Sequence, residues 1–151
     1  MDKNIMGNNI ITQVAILVND IEKTLQAYCD FFGIENPGYI VTDTEEKAQT
    51  KYNGVSTPAQ SKLAFVNAGS QLVIELIEPD KNPSVWREYL DKNGEGFHHI
   101  AFSVNGMKTV VQNFEKNGMP EVQKGEYTGG RYSYIDAFEP LKLMIELLEN
   151  D

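Results

Sequence analysis

Two kinds of apolar run alternate along this chain. Residues 10–18, Ile-Ile-Thr-Gln-Val-Ala-Ile-Leu-Val, are rich in β-branched side chains and predict a strand. Asn19-Asp20 follows, with Glu22 three residues after Asn19, the signature of a helix N-cap with a capping-box acid. Ile21, Leu25, Tyr28 and Phe32 then recur at helical spacing until Gly33 stops the helix. Pro37-Gly38 marks a turn before a short strand at 39–42. Residues 43–60 are polar and aperiodic, carry Asn53-Gly54 and Pro58, and predict a mobile loop able to cover a site. Residues 62–67 and 72–78 predict strands joined by a hairpin at Ala68-Gly69-Ser70-Gln71.

The pattern then begins again. Residues 80–95 form a linker in which Pro83-Ser84 opens a helix with Val85, Trp86, Tyr89 and Leu90 on one side, closed by Gly94 and Gly96. A strand at 99–104 is followed by Asn105 as a helix cap, by Val110, Val111 and Phe114 facing inward, and by Gly118 as the stop. A short strand within 120–127 and two longer ones at 131–137 and 141–149 complete the set. Both halves therefore read β-α-β-β-β. The chain divides into a loose tail at 1–9, a first module at 10–79, the linker helix at 80–95 and a second module at 96–151, all within one structural domain.

Residue identities repeat as well. Setting Gln13 against His99 brings Ala15 onto Ala101, Val18 onto Val104, Asn19 onto Asn105 and Gln26 onto Gln112. Setting Glu75 against Glu146 superposes Leu72-Val73-Ile74-Glu75-Leu76-Ile77-Glu78 on Leu143-Met144-Ile145-Glu146-Leu147-Leu148-Glu149. Two copies of one module account for this most simply. They imply a pseudo-twofold axis across which Gln13 faces His99 and Glu75 faces Glu146.

Each of these four polar residues sits inside an otherwise apolar strand. A carboxylate buried there without a partner costs several kcal/mol. Two glutamates, an amide and an imidazole converging on the axis remove that cost if a divalent cation lies between them. Strand alternation agrees, placing Gln13 with Ala15 and Leu17, Glu75 with Val73 and Ile77, and Glu146 with Met144 and Leu148. Alternation also places His99 with Ala101 and Ser103, and His98 with Ile100, Phe102 and Val104, so the two histidines are expected on opposite faces. Glu78 and Glu149 are expected to face water. One nitrogen and three oxygen donors form a fairly hard set that suits Zn, Ni, Co or Mn.

Composition narrows the function classes. Of 151 residues 41% are hydrophobic, and no run of about 18 apolar residues predicts a membrane span. The net charge of −9 repels nucleic acid and anionic lipid. Residues 1–9 lack an apolar segment of the signal-peptide kind. The single Cys29 leaves no internal disulfide, which fits a reducing cytoplasm. The expected partners are a small-molecule substrate and a second copy of the chain, since strand edges in such modules are often covered by another subunit.

At these residues the chain resembles the vicinal oxygen chelate superfamily. The stretches carrying the likeness are Val14-Ala15-Ile16, Phe65-Val66-Asn67-Ala68-Gly69, Ile74-Glu75-Leu76-Ile77-Glu78-Pro79 and Gly96-Phe97-His98-His99-Ile100-Ala101. The resemblance implies an α+β fold, two tandem βαβββ modules forming a half-open, pseudo-twofold β-barrel around one divalent metal ion. It puts the four ligand positions on Gln13, Glu75, His99 and Glu146. Its methylmalonyl-CoA epimerase branch implies proton removal α to a carbonyl through an enediolate, with Glu146 as the principal base and Glu75 second. Gln13 stands where epimerases usually carry His, and the Gln, Glu, His, Glu set resembles that of some glyoxalase I enzymes, lactoylglutathione lyases acting on thiol hemithioacetals. A third implied class is the non-catalytic, drug-sequestering kind, whose members tend to lack the four ligands. Ring-cleaving oxygenases need two histidines and a carboxylate at one metal. With His98 and His99 expected to point apart, that class is set aside. Lys51, Lys62, Lys124, Arg131 and Tyr134 are the residues expected to meet the substrate.

Overall fold

The strand-forming runs pair into one 10-stranded sheet. The computed structural model describes residues 1–151 except Ala68 and Ser70, so the expected hairpin turn at 68–71 lies partly outside the described residues. The first half comprises β1 (Gln13–Leu17), α1 (Ile21–Phe32), β2 (Ile40–Val41), α2 (Glu45–Ala48), β3 (Lys51–Tyr52), β4 (Val55–Ser56), β5 (Ser61–Asn67) and β6 (Val73–Pro79). The linker helix is α3 (Val85–Asn93). The second half comprises β7 (Gly96–Ser103), α4 (Met107–Lys116), β8 (Glu121–Tyr127), β9 (Gly130–Asp136), α5 (Phe138–Leu141) and β10 (Met144–Asn150). The sheet order β2-β5-β6-β1-β7-β10-β9-β8-β3-β4 curls into a half-barrel, the α+β vicinal oxygen chelate architecture.

The repeat is written into the register. At the central β1–β7 seam Gln13 pairs with Ala101 and Ala15 with His99, two pairings that exchange under the Gln13-to-His99 correspondence. In the first half Gln13 pairs with Val73 and Ala15 with Glu75. In the second His99 pairs with Met144 and Ala101 with Glu146, the same relation. Both alignments read from the sequence are therefore relations of strand pairing. On the convex side α1 buries Ile21, Leu25 and Cys29 against Ala64, Val66 and Leu76. Likewise α4 buries Val110, Val111 and Phe114 against Phe102, Ile145 and Leu147.

The helix starts differ from expectation. Asp20, not Asn19, caps α1 by accepting from the Lys23 N–H at 3.0 Å. Glu22 accepts from the Tyr39 hydroxyl instead of closing a capping box. α4 has Gly106 at its N-cap with φ 71°, so Asn105 does not cap it. The missing cap is supplied from the sheet, because the Glu149 carboxylate accepts from the N–H groups of Gly106 and Met107. Glu78 does the same for Ile21 in α1 at 2.9 Å. These two glutamates, expected to face water, thus dock their helices onto the sheet in both halves.

Those backbone donors, Met107 first and then Gly106, hold the Glu149 carboxyl below its usual range. A lowered folded value stabilises above the unfolded pKa and is lost as the pH falls through the folded one. Glu149→Gln is therefore expected to lower the thermal midpoint at pH 7. The difference should shrink below roughly pH 4.3, the ordinary glutamate value, and vanish once Glu149 is protonated in both states. A deficit that stays constant down to pH 2 would show that charge is not the cause.

Residues 43–60, expected as a mobile loop able to cover a site, carry regular structure and contribute Asp43, Ala48 and Thr50 to the cavity lining. They form α2 and the β3–β4 hairpin, whose Asn53-Gly54 turn has both φ angles positive (50° and 78°), as a tight two-residue hairpin requires. β3 pairs with β8 at the far edge of the sheet, whereas β2 lies at the opposite end. The segment between them therefore bridges the open side of the half-barrel. Residues 1–9 are not loose either. Asp2 N–H donates to Asn117, Asn8 to the Ser103 carbonyl, and Ile5 and Met6 pack on the α4 cluster.

Candidate metal centre

Four strands bring the expected ligands to the concave floor. Glu75 on β6 and Glu146 on β10 lie either side of His99 on β7. His99 Nε2 is 3.1 Å from Glu146 Oε2 and 3.5 Å from Glu75 Oε2. One ligand atom from each of the three lies within 4.8 Å of the others. All three are buried. Gln13 on β1 lines the same cavity, and its Oε1 is buried without a hydrogen-bond partner, as is Glu75 Oε2. Two orphaned oxygen acceptors beside a carboxylate and an imidazole are what a divalent cation would satisfy, so the donor set fits the ion.

Burial works against charge on the His99 ring, but Glu146 and then Glu75 outweigh it and hold its pKa up to about 9. His99 thus carries a proton on Nε2 and donates it to Glu146. A cation seated among the three would take the place of that proton. Burial raises the Glu75 carboxyl above its usual range, although its contact with His99 opposes the shift. Burial likewise pushes the Tyr134 phenol well up, and Trp86 Nε1–H donates to its oxygen at 3.0 Å.

The two histidines do not point apart, and the reason is a β-bulge. In the β1–β7 ladder Ala15 pairs with His99 but Ile16 pairs with Phe97, so His98 is an extra residue on β7. The bulge breaks the alternation and swings His98 to the side of His99, leaving Phe97 exposed. Both rings are fully buried, with their Nδ1 atoms 2.9 Å apart. His98 also packs edge-on against Tyr89 of α3 at 4.9 Å and near Tyr134 at 5.8 Å. Burial, then the neighbouring His99, holds the His98 pKa well below its ordinary value. The premise used to set aside the two-histidine oxygenases thus fails. A different observation bears on that class: among the described residues the metal-ligand group contains His99 and not His98.

A neutral His98 beside His99 Nδ1 can accept its proton and leave Nε2 to a cation, as outer partners of metal-binding histidines commonly do. His98→Phe keeps the ring packing and removes that acceptor. Metal affinity measured by titration calorimetry is expected to fall about tenfold or more. The thermal midpoint without added metal should also fall, because the His99 Nδ1–H is left buried without its acceptor. Unchanged affinity would show that His98 only packs.

The cavity over this floor has a volume of about 550 Å³. Tyr134 lines it as expected. Lys51, Lys62, Lys124 and Arg131 are not among the lining residues. Lys62 pairs with Glu78 at 3.2 Å, Arg131 with Glu149 at 3.1 Å and Lys124 with Glu121 at 3.4 Å. These are cross-strand or local ion pairs of the outer surface. Sequence reasoning missed Trp86, which reads as one of several apolar residues on a linker helix yet lines the cavity. It also missed Thr50 and Asp43, which reach the site through the bridging segment.

Residues 12–135 match the model of the Glyoxalase/Bleomycin resistance protein/Dioxygenase superfamily. The chain belongs to that superfamily. A curated relative, the uncharacterized protein YqjC of Bacillus subtilis (strain 168), is 31% identical over 90 residues, covering 58% of this chain and 64% of that protein. The solved structure of hypothetical protein BH1468 from Bacillus halodurans C-125 superposes with a TM-score of 0.66 at 21% identity, over 94% of each chain. Methylmalonyl-CoA epimerase from Mycobacterium tuberculosis superposes at 0.62 and 20% identity, over 100% of this chain and 93% of that one. A Streptomyces coelicolor methylmalonyl-CoA epimerase in complex with 2-nitronate-propionyl-CoA gives 0.62 and 20%, over 93% and 96%. At these identities the likeness is one of fold. Among the described residues no helix is long and apolar enough to cross a membrane.

Proposed function

We propose that this protein is a divalent-metal-dependent isomerase of the epimerase type, working by proton transfer at a carbon α to a carbonyl. The observation that carries the reading is the pair of buried carboxylates, Glu75 and Glu146, which line the cavity and flank the buried His99 beneath it. Gln13, Glu75, His99 and Glu146 would hold the ion. When bound, it supplies Lewis-acid stabilisation of charge developing on the substrate oxygen. Glu146 takes the α-proton and the C–H electrons pass to the carbonyl oxygen, giving an enolate. Glu75, on the other side of the plane, returns a proton that it takes up from water. Glu146 ends the cycle protonated and Glu75 ionised, and exchange with water resets them.

The epimerase-fold neighbours support methylmalonyl-CoA as one substrate to try, and Gln13 supports hemithioacetals of the glyoxalase reaction as another. The deciding experiment incubates metal-loaded protein with carbonyl compounds in deuterated water. Deuterium gained at the α-carbon at a rate proportional to enzyme supports the reading. Tight ligand binding with no exchange in any substrate would instead support the sequestering class. We also propose a homodimer, because Ile40, Val41 and Val55 are exposed on the edge strands β2 and β4. Light scattering of the purified chain would decide it. The single buried thiol, Cys29, supports a reducing, cytoplasmic setting.

A further inference from the structure

Resting on that isomerase reading, we infer that the substrate of this cavity is a compact, uncharged carbonyl compound with an apolar or aromatic body, rather than a CoA or glutathione thioester. The volume of about 550 Å³ is that of a small-molecule site. Its walls are largely apolar and aromatic, with Leu63, Phe65, Trp86, Tyr132, Tyr134 and Leu148 among them, and uncharged polar side chains such as Thr50 and Asn150 between. Besides Glu75 and Glu146, the charged residues lining it are Asp43 and Glu126. No lysine or arginine is among the described lining residues.

Strand alternation explains where the cations went. Leu63 and Tyr132 face the cavity, so their neighbours Lys62 and Arg131 face outward, where Glu78 and Glu149 hold them. Thr50 faces the cavity, so Lys51 turns away and stands opposite Lys124 in the β3–β8 register. Glu75 and Glu146, both ionised as ligands, would neutralise a divalent ion held between them. The remaining field is that of Asp43 and Glu126, on a protein of net charge −9. A phosphate-bearing or carboxylate-bearing carrier would enter against like charge with no cation to receive it. An uncharged body meets instead the apolar wall of Leu63, Phe65 and Leu148.

Trp86 is the single tryptophan and lines the cavity, so its fluorescence reports occupancy directly. The test titrates full-length, Zn-loaded protein with 2-hydroxyacetophenone, with the same ketone bearing a para-carboxylate, with methylmalonyl-CoA and with S-lactoylglutathione. α-Deuterium exchange is followed in parallel. The neutral ketone is expected to change Trp86 emission saturably and to exchange its α-protons faster than with metal alone. The para-carboxylate should bind about tenfold more weakly, with the gap closing in an Asp43→Asn/Glu126→Gln double variant. The two thioesters should give no saturable change. Equal binding of the carboxylate, saturation by either thioester, or no binding of the neutral ketone would overturn the inference. Thioester exchange would overturn it while leaving the isomerase reading intact. Selective binding of the neutral ketone without exchange would leave the substrate class standing and sink the isomerase reading.

Discussion

Glu146→Gln is expected to cut α-proton exchange by about 10²–10⁴-fold, the usual contribution of a positioned general base. The amide is nearly isosteric with the carboxylate and its oxygen can still accept from His99 Nε2, now at 3.1 Å from Glu146. The fold and the thermal midpoint should therefore survive, which separates lost chemistry from lost structure. Glu75→Gln should also be slow, but in a different way. If Glu146 removes the proton and Glu75 returns one on the other face, the Glu75 variant still washes deuterium into one enantiomer of a chiral substrate while failing to convert it into the other. Exchange and inversion measured on the same sample distinguish the roles. Undiminished exchange in a Glu146→Gln protein that still binds metal would remove Glu146 as the base.

The second large effect expected is on stability. The floor of the cavity holds Gln13 Oε1 and Glu75 Oε2 without hydrogen-bond partners and two carboxylates crowded on one imidazole, an arrangement that costs free energy until a cation satisfies it. An ion that binds only the folded chain stabilises it by about 2.7 kcal/mol at a hundredfold excess over its dissociation constant. For a domain of this size that raises the thermal midpoint by roughly 5–10 °C. Zn, Ni, Co and Mn added one at a time to chelator-treated protein rank the ions. His99→Ala and Glu75→Ala should lose the gain altogether. Less than a degree of change with every ion would argue against a metal centre at these residues.

The two halves and their correspondence were legible in the sequence because strands leave a two-residue period and helices a 3.6-residue one, each carried by neighbours close in the chain. Ile21 and Leu25 mark the buried face of α1 without reference to anything else, but Cys29 completes it and Phe32, expected on that face, is exposed. The repeat then did what single residues cannot, since Gln13 alone carries no signal and gains one only from His99 across the pseudo-axis. The same reasoning failed wherever one strand depended on the exact register of another. Alternation put His98 opposite His99, but the bulge against Ala15 and Ile16 inserts a residue, and nothing within Gly96–Ser103 announces it. Asn105 carries a capping side chain, yet Glu149 from a distant strand takes the role. The aperiodic stretch at 43–60 gains its order from β8, a partner about 70 residues on, and so has no local pattern to read.

By itself, then, the sequence determined the element types, the twofold repeat and the convergence of one imidazole, one amide and two carboxylates, because local periodicity and internal likeness are written in the chain. Tertiary structure decided which side His98 takes, that residues 43–50 bridge the open side of the half-barrel, and that the basic residues face away from the cavity. Each of those depends on pairing between strands far apart in sequence, where a one-residue shift changes which face a side chain occupies.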